Sequence, residues 1–356
     1  MSPKRPGHSE HVQTHVDGAL GVITLTRPAA LNALDDEMIE GMHAALTRWA
    51  DDDAVAAVWV QGGDRGLCAG GDVRAVREVA LTGDLDRAMS FFRAEYALNQ
   101  LIGDFGKPYV AWMDGIVMGG GLGISAHGSH RLVTERTKIA MPETIIGFFP
   151  DVGALWWLSR APGELGIHLA LTGTTIDGVD AVAVGLADHV VSSDAQEQVY
   201  ADLSRAASTL TADDLAAWAP PAEHLIDAAA SGESSHLDSL RTWVDECYSG
   251  VDLAPIVEKL RSSPEPAAGQ ALELMEERSP FSVAITLEAI RRAADMSLNE
   301  VLAQDAVLAR SCIAHPDFAE GVRAQLVDKD RSPAWATTHL SNIDQADVIA
   351  AFEAPV

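Results

Sequence analysis

Hydrophobic and polar positions near the N-terminus follow two different periods. Val12–Val16 and Leu20–Leu25 flank the dipeptide Asp17-Gly18, and apolar runs around such a dipeptide predict a β-hairpin. A helical period follows, and Asp35 or Asp36 is placed to cap that helix. The apolar positions that share its predicted buried face are Met38, Met42, Leu46 and Trp49.

Short apolar segments then alternate with glycine-rich loops and helices. The predicted strands are Ala54–Gln61, Pro108–Met113, Arg131–Thr134 and Lys138–Met141. The predicted helices are Met89–Ile102, Val152–Arg160 and Glu164–Leu171. Strands that alternate with helices in this way favour an α/β fold class.

The composition changes near residue 206. Ala206–Ser235 contains Ala219-Pro220-Pro221 and a tract rich in Ser, Gly and Glu, which is typical of a linker or domain border. Helical patterns fill the rest of the chain. The sequence therefore predicts an α/β core over 11–205, a linker over 206–235 and a helical C-terminal region over 236–356.

Charge excludes several classes of partner. The 356-residue chain carries 25 Lys and Arg against 52 Asp and Glu, a formal net charge of −27. Binding to nucleic acid or to an anionic membrane requires clustered basic residues, so neither partner is expected. Residues 1–170 hold 14 basic and 21 acidic residues, whereas 171–356 hold 11 and 31. An anionic ligand is therefore better tolerated by the first half.

Cysteine usage and hydropathy bear on the compartment. Cys68, Cys247 and Cys312 are far apart and form no CxxC pair, which indicates neither a disulfide framework nor a thiolate metal site. No apolar run is long enough to span a membrane, and Met1–Glu10 is polar. We expect a cytoplasmic protein without a bound metal, and the preference for Ala and for Arg over Lys indicates a bacterial source.

Two glycine-rich loops are the strongest local signal. One runs from Gly62 to Asp72 and the other from Met118 to Gly123; each follows a predicted strand and precedes a helix. Glycine lets backbone N–H groups approach a ligand closely, and two converging N–H groups can hold the oxygen of a reacting carbonyl. The alternative is that these glycines only form tight turns.

Two carboxylates lie in an unusually apolar stretch between these loops and the helices that follow. Glu143 and Asp151 are eight residues apart and are surrounded by apolar residues, prolines and glycines. Burial raises the pKa of a carboxyl group and suits it to proton transfer near neutral pH. The alternative is that Glu143 is a helix-capping or solvated loop residue and that Asp151 caps the following helix, a role that Asp151 could combine with catalysis.

One further motif of the chain would indicate a different chemistry. Gly121–Ala126 satisfies the pattern G-x-G-x-x-A of dinucleotide-binding proteins, with Glu143 at a suitable distance. That acidic residue should end a second strand, however, whereas Glu143 lies between Pro142 and an apolar run. The chain contains no G-x-S-x-G, H-E-x-x-H or P-loop motif.

Together the two loops and the segment Met141–Gly153 resemble the crotonase (enoyl-CoA hydratase/isomerase) superfamily. The supporting stretches are Cys68–Arg74, Phe91–Tyr96, Met118–Gly123, Met141–Gly153, His315–Ala324 and Asp328–Asp330. The resemblance implies a crotonase-like spiral of ββα units followed by a helical C-terminal region. It also implies an acyl-CoA substrate, so that coenzyme A enters with the substrate and no separate cofactor is needed.

The resemblance assigns roles to individual residues. Ala69 and Gly120 match the backbone donors of the oxyanion hole, Glu143 the catalytic carboxylate, and Asp151 a second acidic site. Glu95 matches a position that binds the acyl group. The phosphates of coenzyme A need basic partners; the basic residues that flank the predicted loops are Arg27, Arg65, Arg74 and Lys107.

The residue at position 123 helps to choose among crotonase reactions. The resemblance implies that hydration in this superfamily uses two glutamates, one of them three residues after the loop glycine that Gly120 matches. This chain has Gly123 at that position. Glu143 with Asp151 instead suits activation of water against a carbonyl, which is hydrolysis of a thioester. The resemblance implies a small 3-hydroxyacyl-CoA of valine catabolism as the substrate. Glu143 would act as general base or as nucleophile. The alternatives are an enoyl-CoA hydratase or isomerase and a non-catalytic acyl-CoA-binding protein.

Assembly is left open by the sequence. Crotonase relatives are often trimers or hexamers, so the resemblance allows a homo-oligomer. The long helical C-terminal region would be able to cover or replace that interface.

Overall fold

The computed structural model describes residues 10–226 and 235–354. Within them the chain forms two compact units, each built from separate stretches of sequence. Unit 1 comprises the described parts of Met1–Gly71, Ala97–Ile139 and Ile176–Ser234. Unit 2 comprises the described parts of Asp72–Tyr96, Ala140–Thr175 and Ser235–Val356.

A six-stranded sheet organises unit 1. Its strands lie in the order β1-β2-β3-β5-β7-β9, parallel except for the antiparallel β1–β2 hairpin. Their bounds are β1 Val12–Asp17, β2 Leu20–Leu25, β3 Ala57–Gln61, β5 Tyr109–Met113, β7 His130–Thr134 and β9 His189–Val191. The α/β class predicted from the sequence is confirmed.

A second, three-stranded sheet has the order β4-β6-β8. It comprises β4 Gly66–Cys68, β6 Ile116–Met118 and β8 Lys138–Ala140. The sequence predicted β8 but not β4 or β6, because three residues are too few to show an alternating pattern. Both missed strands lie in or directly beside the glycine-rich loops.

Local sequence explains the helices of unit 1. The Asp35 side chain accepts a hydrogen bond from the Met38 N–H at 2.9 Å and thereby caps the first helix, as predicted. The helices are α1 Asp36–Ala50, the short α4 Gly120–Gly123, α7 Gly178–Ala183, α8 Gln196–Thr209 and α9 Ala212–Ala216. Helix α3, Leu85–Gly103, passes from unit 2 into unit 1.

The core of unit 1 shows that the predicted linker is wrong at its start. Val199, Leu203, Ala206, Ala207 and Leu215 of helices α8 and α9 pack against one face of the six-stranded sheet. The segment 206–216 is therefore part of the core, because its small and apolar residues fill a helix–sheet contact. Residues 227–234 of the predicted linker lie outside the described residues.

Unit 2 is mainly helical. Besides most of α3 it contains α2 Val73–Ala80, α5 Ala154–Leu158, α6 Leu165–Thr172, α10 His236–Tyr248, α11 Leu253–Ser262, α12 Pro266–Glu276, α13 Pro280–Ala293, α14 Leu298–Ala314, α15 Pro316–Val322 and α16 Gln345–Ala351. The helical C-terminal region is thus confirmed, and a π-helical turn, Arg323–Val327, follows α15. No helix among the described residues is both long and apolar enough to cross a membrane.

Aromatic side chains form the centre of unit 2. Phe92 stacks on Phe148 with ring centroids 5.0 Å apart, and Phe148 contacts both Phe149 and Phe318. These residues come from three distant stretches of the chain, so that α3, the segment after β8 and α15 share one apolar cluster. The predicted boundary between a core over 11–205 and a region over 236–356 is therefore wrong: unit 2 combines residues from both.

Candidate active site

The first glycine-rich loop is held by the segment that precedes α1. The Leu34 N–H donates to the Gly70 carbonyl at 2.8 Å, and the Asn32 side chain donates to the Leu67 carbonyl at 3.0 Å. The Ala69 N–H donates to the Leu31 carbonyl at 3.0 Å. The predicted role of Ala69 as an oxyanion donor is therefore wrong, because its N–H already has an acceptor in the protein.

The two glycine-rich loops lie side by side in unit 1. A Cβ built on Gly70 would lie 3.9 Å from the Gly120 nitrogen, and a Cβ on Gly121 would lie 2.3 Å from the Cys68 carbonyl oxygen. Gly70 has φ +115°, a conformation that other residues avoid. The N–H groups of Gly71 and Gly120 have no hydrogen-bond acceptor in the described part of the chain. These two N–H groups are free to bind an oxygen.

Glu143 begins a single 3-10 turn in unit 2, Glu143–Ile146, which ends at the left-handed Gly147. Helices of the C-terminal half hold this turn. The Ser279 N–H donates to the Thr144 carbonyl at 3.1 Å, and the Ser279 hydroxyl donates to Asp317 at 2.6 Å. Glu143 is thus placed by residues more than 130 positions away in sequence.

Asp151 lies at the end of the same segment, in a turn that leads into α5. Its Oδ2 accepts a hydrogen bond from the Tyr96 hydroxyl at 2.7 Å. Gly153, the residue before α5, donates its N–H to Asp305 Oδ2 at 2.8 Å. Asp151 does not cap α5, because Gly153 occupies that position without a side-chain hydrogen bond.

Glu95 lies one residue before Tyr96 on α3. The helix also buries Phe91 and Phe92. Glu95 is itself buried, and the structure brings it together with Glu143 and Asp151 in unit 2.

Among the carboxyl groups of unit 2 that are almost inaccessible to solvent, Asp305 is 0% exposed, Glu95 2%, Asp151 4% and Glu143 9%. The buried oxygens that lack a hydrogen-bond partner within the described residues include Glu95 Oε1, Glu143 Oε2 and Asp305 Oδ1. Unpaired buried oxygens are costly, and their concentration at one place is typical of a ligand-binding site.

Burial also sets the protonation of these groups. It raises the pKa of Glu143 well above its usual value, with a smaller contribution from Asp151. The pKa of Glu95 is raised in the same way, again with a smaller contribution from Asp151. Burial raises the pKa of Asp151 to about 7, although the Tyr96 hydroxyl acts in the opposite direction. At neutral pH the Asp151 carboxyl group can therefore hold or release a proton.

Tyr96 and Asp305 were missed by the sequence reasoning. Tyr96 was inside a motif that carried the resemblance, but its hydroxyl had no predicted partner. Asp305 lies on α14 between Val301 and Leu308, which are both fully buried. An acidic residue at an apolar helical position was the available signal.

The candidate partners of the coenzyme A phosphates differ in availability. Lys107 donates to the carbonyls of Trp49 and Asp52 at 2.6 and 2.8 Å, so its ammonium group is already hydrogen-bonded at the end of α1. The Arg27 guanidinium donates to the Ala33 carbonyl and lies 3.7 Å from Asp35. Arg65 and Arg74 are exposed. Among the described residues, no three His, Cys, Asp or Glu side chains are grouped as metal ligands would be.

Comparison with known families places these features in context. The family model described as enoyl-CoA hydratase/isomerase matches residues 20–352. Among curated proteins, the chain is 41% identical over 344 residues to a protein of Danio rerio named 3-hydroxyisobutyryl-CoA hydrolase, mitochondrial. The match covers 94% of this chain and 87% of that protein.

Solved structures agree on the fold. A protein of Mycobacterium thermoresistibile named as a carnitinyl-CoA dehydratase superposes with a TM-score of 0.87 at 44% identity, covering 98% of this chain and 97% of that one. One of Rhodobacter sphaeroides 2.4.1 named as an enoyl-CoA hydratase gives 0.87 at 34% identity, covering 97% and 98%. The similarity extends over nearly the whole chain in both cases.

Proposed function

This chain belongs to the enoyl-CoA hydratase/isomerase family, and from that premise we propose that it hydrolyses 3-hydroxyisobutyryl-CoA to 3-hydroxyisobutyrate and coenzyme A. It is an acyl-CoA thioester hydrolase, as are the curated relatives that are similar over most of its length. The acyl-CoA is the substrate, and the reaction consumes one water molecule.

The buried carboxyl pair Glu143 and Asp151 is the observation that carries this proposal. Hydrolysis needs a group that takes a proton from water and a group that gives one to the leaving thiolate. Two carboxyl groups in one apolar environment, one of them with a pKa of about 7, can divide these tasks. An acidic residue at position 123 would have favoured hydration instead, but that residue is Gly123.

Each step of the proposed mechanism uses a group described above. The N–H groups of Gly71 and Gly120 bind the thioester oxygen, and each such donor typically lowers the barrier by about 3–4 kcal/mol. Glu143 takes a proton from water as its oxygen attacks the carbonyl carbon. The carbon–sulfur bond then breaks, and Asp151 supplies the proton that converts the thiolate to the free thiol. Glu95 binds the hydroxyl of the acyl group.

A second route uses Glu143 as the nucleophile. Its carboxylate displaces coenzyme A and forms a mixed anhydride, which water then hydrolyses. An acyl adduct on the Glu143 peptide in rapidly quenched single turnovers would identify this route. Without such an adduct, the general-base route is retained.

The decisive experiment is a thiol-release assay on a panel of acyl-CoA thioesters, comparing the wild type with Glu143→Gln. We expect release from 3-hydroxyisobutyryl-CoA, and a loss of at least about 100-fold in kcat in the variant, because glutamine cannot accept the proton. Arg205→Gln, an exposed substitution on α8 that lies outside the proposed machinery, controls for nonspecific effects on kcat. Full activity of Glu143→Gln would refute the assignment.

Hydratase or isomerase activity is the second candidate, because the two solved structures cited above are named as a dehydratase and a hydratase. An assay with crotonyl-CoA as substrate distinguishes hydratase activity from thioester hydrolysis. Mass-spectrometric detection of hydrated crotonyl-CoA without thiol release would favour the second. An acyl-CoA-binding protein without catalysis would retain its ligand and yield neither product.

Several finer points go beyond the family and the reaction. We place the reaction in valine catabolism, as the similarity to proteins named 3-hydroxyisobutyryl-CoA hydrolase implies. The cytoplasmic location and the bacterial source stay predictions, and the Danio rerio relative is named as mitochondrial. The homo-oligomer also stays a prediction, which sedimentation of the purified protein would test.

A further inference from the structure

The turn that carries Asp151 has an unfavourable backbone. Val152 has φ 54° and is 1% exposed, and Gly153 follows with φ 74°. Glycine accepts this left-handed conformation readily, whereas a β-branched residue such as valine rarely does. Such a residue keeps its conformation only where the surrounding structure holds it there.

Asp305 supplies part of that support. It lies on α14, is 0% exposed, and its Oδ2 accepts the Gly153 N–H at 2.8 Å. This hydrogen bond fixes the residue directly after Val152 and therefore fixes the direction in which the chain leaves Asp151. Asp305 lies 154 positions after Asp151, so this support comes from a different part of the chain.

Tyr96 supports the side chain of Asp151. Its hydroxyl donates to Asp151 Oδ2 at 2.7 Å, which fixes one carboxyl oxygen. The tyrosine ring is itself buried and lies against Phe92, with centroids 6.0 Å apart. Phe92 in turn stacks on Phe148, three residues before Asp151. The donor is therefore held within a packed aromatic cluster.

We propose that Asp305 and Tyr96 are positioning residues for Asp151, one acting through the backbone turn and the other through the carboxyl oxygen. The inference rests on the proposed hydrolase function, in which Asp151 protonates the leaving thiolate. Neither residue needs to contact the substrate. Asp305 acts through an acceptor oxygen rather than through its charge, so an asparagine at this position can replace it.

The first test measures thiol release from 3-hydroxyisobutyryl-CoA by Asp305→Ala and Asp305→Asn. Alanine removes the acceptor, and we expect kcat to fall at least about tenfold while KM stays within about threefold. Asparagine retains an acceptor oxygen, and we expect kcat within about threefold of wild type. Gln304→Leu is the matched control: Gln304 is buried on the same helix but donates to the Ala289 carbonyl, and its kcat should be unchanged.

Thermal unfolding and near-ultraviolet circular dichroism establish that each variant is folded. If Asp305→Ala does not fold, Asp305→Asn alone decides this half of the proposal: a kcat within threefold supports it. A tenfold loss overturns it, because it would show that the ionisable group itself is required. A change confined to KM would also overturn it, since it would indicate contact with the substrate.

The second test is the pH dependence of kcat in Tyr96→Phe. The groups near Asp151 are Glu95 and Tyr96 on α3, Glu143 on its 3-10 turn, and Asp305 and Cys312 on α14. The Tyr96 hydroxyl favours the ionised form of Asp151. Its removal should therefore move the Asp151 limb of the profile to higher pH. Because the carboxyl oxygen is then no longer held in place, kcat should also fall at least about fivefold. An unchanged kcat and profile would overturn the role of Tyr96.

Failure of this inference is distinguishable from failure of the proposed function. If the wild type releases no thiol from any acyl-CoA, the proposed function is wrong. If the wild type is active and Asp305→Ala and Tyr96→Phe both match it, the hydrolase function stands and the positioning roles are wrong.

Discussion

The protonation of Asp151 is set by a few groups around one side chain. Burial raises its pKa, and the Tyr96 hydroxyl partly offsets the effect, which leaves the pKa at about 7. The apolar neighbours in Met141–Gly153 allowed the rise to be predicted from the sequence. The Tyr96 donor could not be predicted, because it is 55 positions away and only the folded chain brings it into contact.

This pKa predicts how stability depends on pH. Asp151 titrates near 7 when folded and near 3.8 when unfolded, so its contribution to stability is present at low pH and is lost as the pH rises through 7. Asp151→Asn does not titrate. Between pH 5 and 8 its free energy of unfolding should therefore gain up to about 3 kcal/mol relative to wild type. Thermal and urea unfolding across this range would measure the gain, and parallel curves would contradict it.

His168 predicts a pH dependence of folding stability that is opposite in sign to that of Asp151. Burial lowers its pKa to about 4, so the folded protein resists the proton that the unfolded chain accepts near pH 6.5. Its effect is a loss of stability as the pH falls below 6.5. His168→Gln should remove that loss, which is about 2 kcal/mol between pH 7 and pH 5. Urea unfolding at both pH values tests this, and an unaltered acid dependence of the variant would refute it.

Elements with a long, regular pattern were predictable, whereas short ones were not. Helix α1 and the β1–β2 hairpin match their predictions because period and capping are local properties. Strands β4 and β6 contain three residues each and exist because neighbouring strands pair with them. The 3-10 turn Glu143–Ile146 is likewise defined by its contacts with α13 and α15 rather than by its own sequence.

The contact between this turn and α15 can be tested at Gly147. A Cβ there would meet the Asp317 carbonyl oxygen at 2.3 Å, and φ is +72°. Gly147→Ala should therefore cost more than the ~1–2 kcal/mol of a left-handed alanine, and should lower kcat by displacing Glu143. Gly83→Ala is the control, since Gly83 has φ +82° but nothing within 4 Å. Equal losses of unfolding free energy in both variants would show that the close contact is unimportant.

At the scale of the whole molecule, the acidic C-terminal half supplies buried carboxyl groups as well as surface charge. Asp305 and Asp317 of this half are 0% exposed. Asp305 accepts a hydrogen bond from the Gly153 N–H, two residues after Asp151. Asp317 accepts one from the hydroxyl of Ser279, the residue that holds the turn carrying Glu143. That half therefore helps to form unit 2 as well as contributing surface charge.

The remaining surface charge predicts a dependence on salt. With a net charge of −27, the folded chain repels itself, and salt screens this repulsion. Raising NaCl from 0.01 M to 1 M shortens the screening length from about 30 Å to about 3 Å and should raise Tm by a few degrees at pH 7. At pH 4.6, near the isoelectric point, the same titration should leave Tm unchanged. A Tm at pH 7 that falls with salt would contradict this.

The sequence by itself determined the α/β class, the main helices, the family, and Glu95, Glu143 and Asp151 as site candidates. These follow from local patterns and from motifs that lie within a few residues of one another. The tertiary structure decided that Ala69 is not a donor, that the predicted linker is partly core, and that Tyr96 and Asp305 support Asp151. Each of these depends on hydrogen bonds or packing between distant segments, which the order of residues does not encode locally.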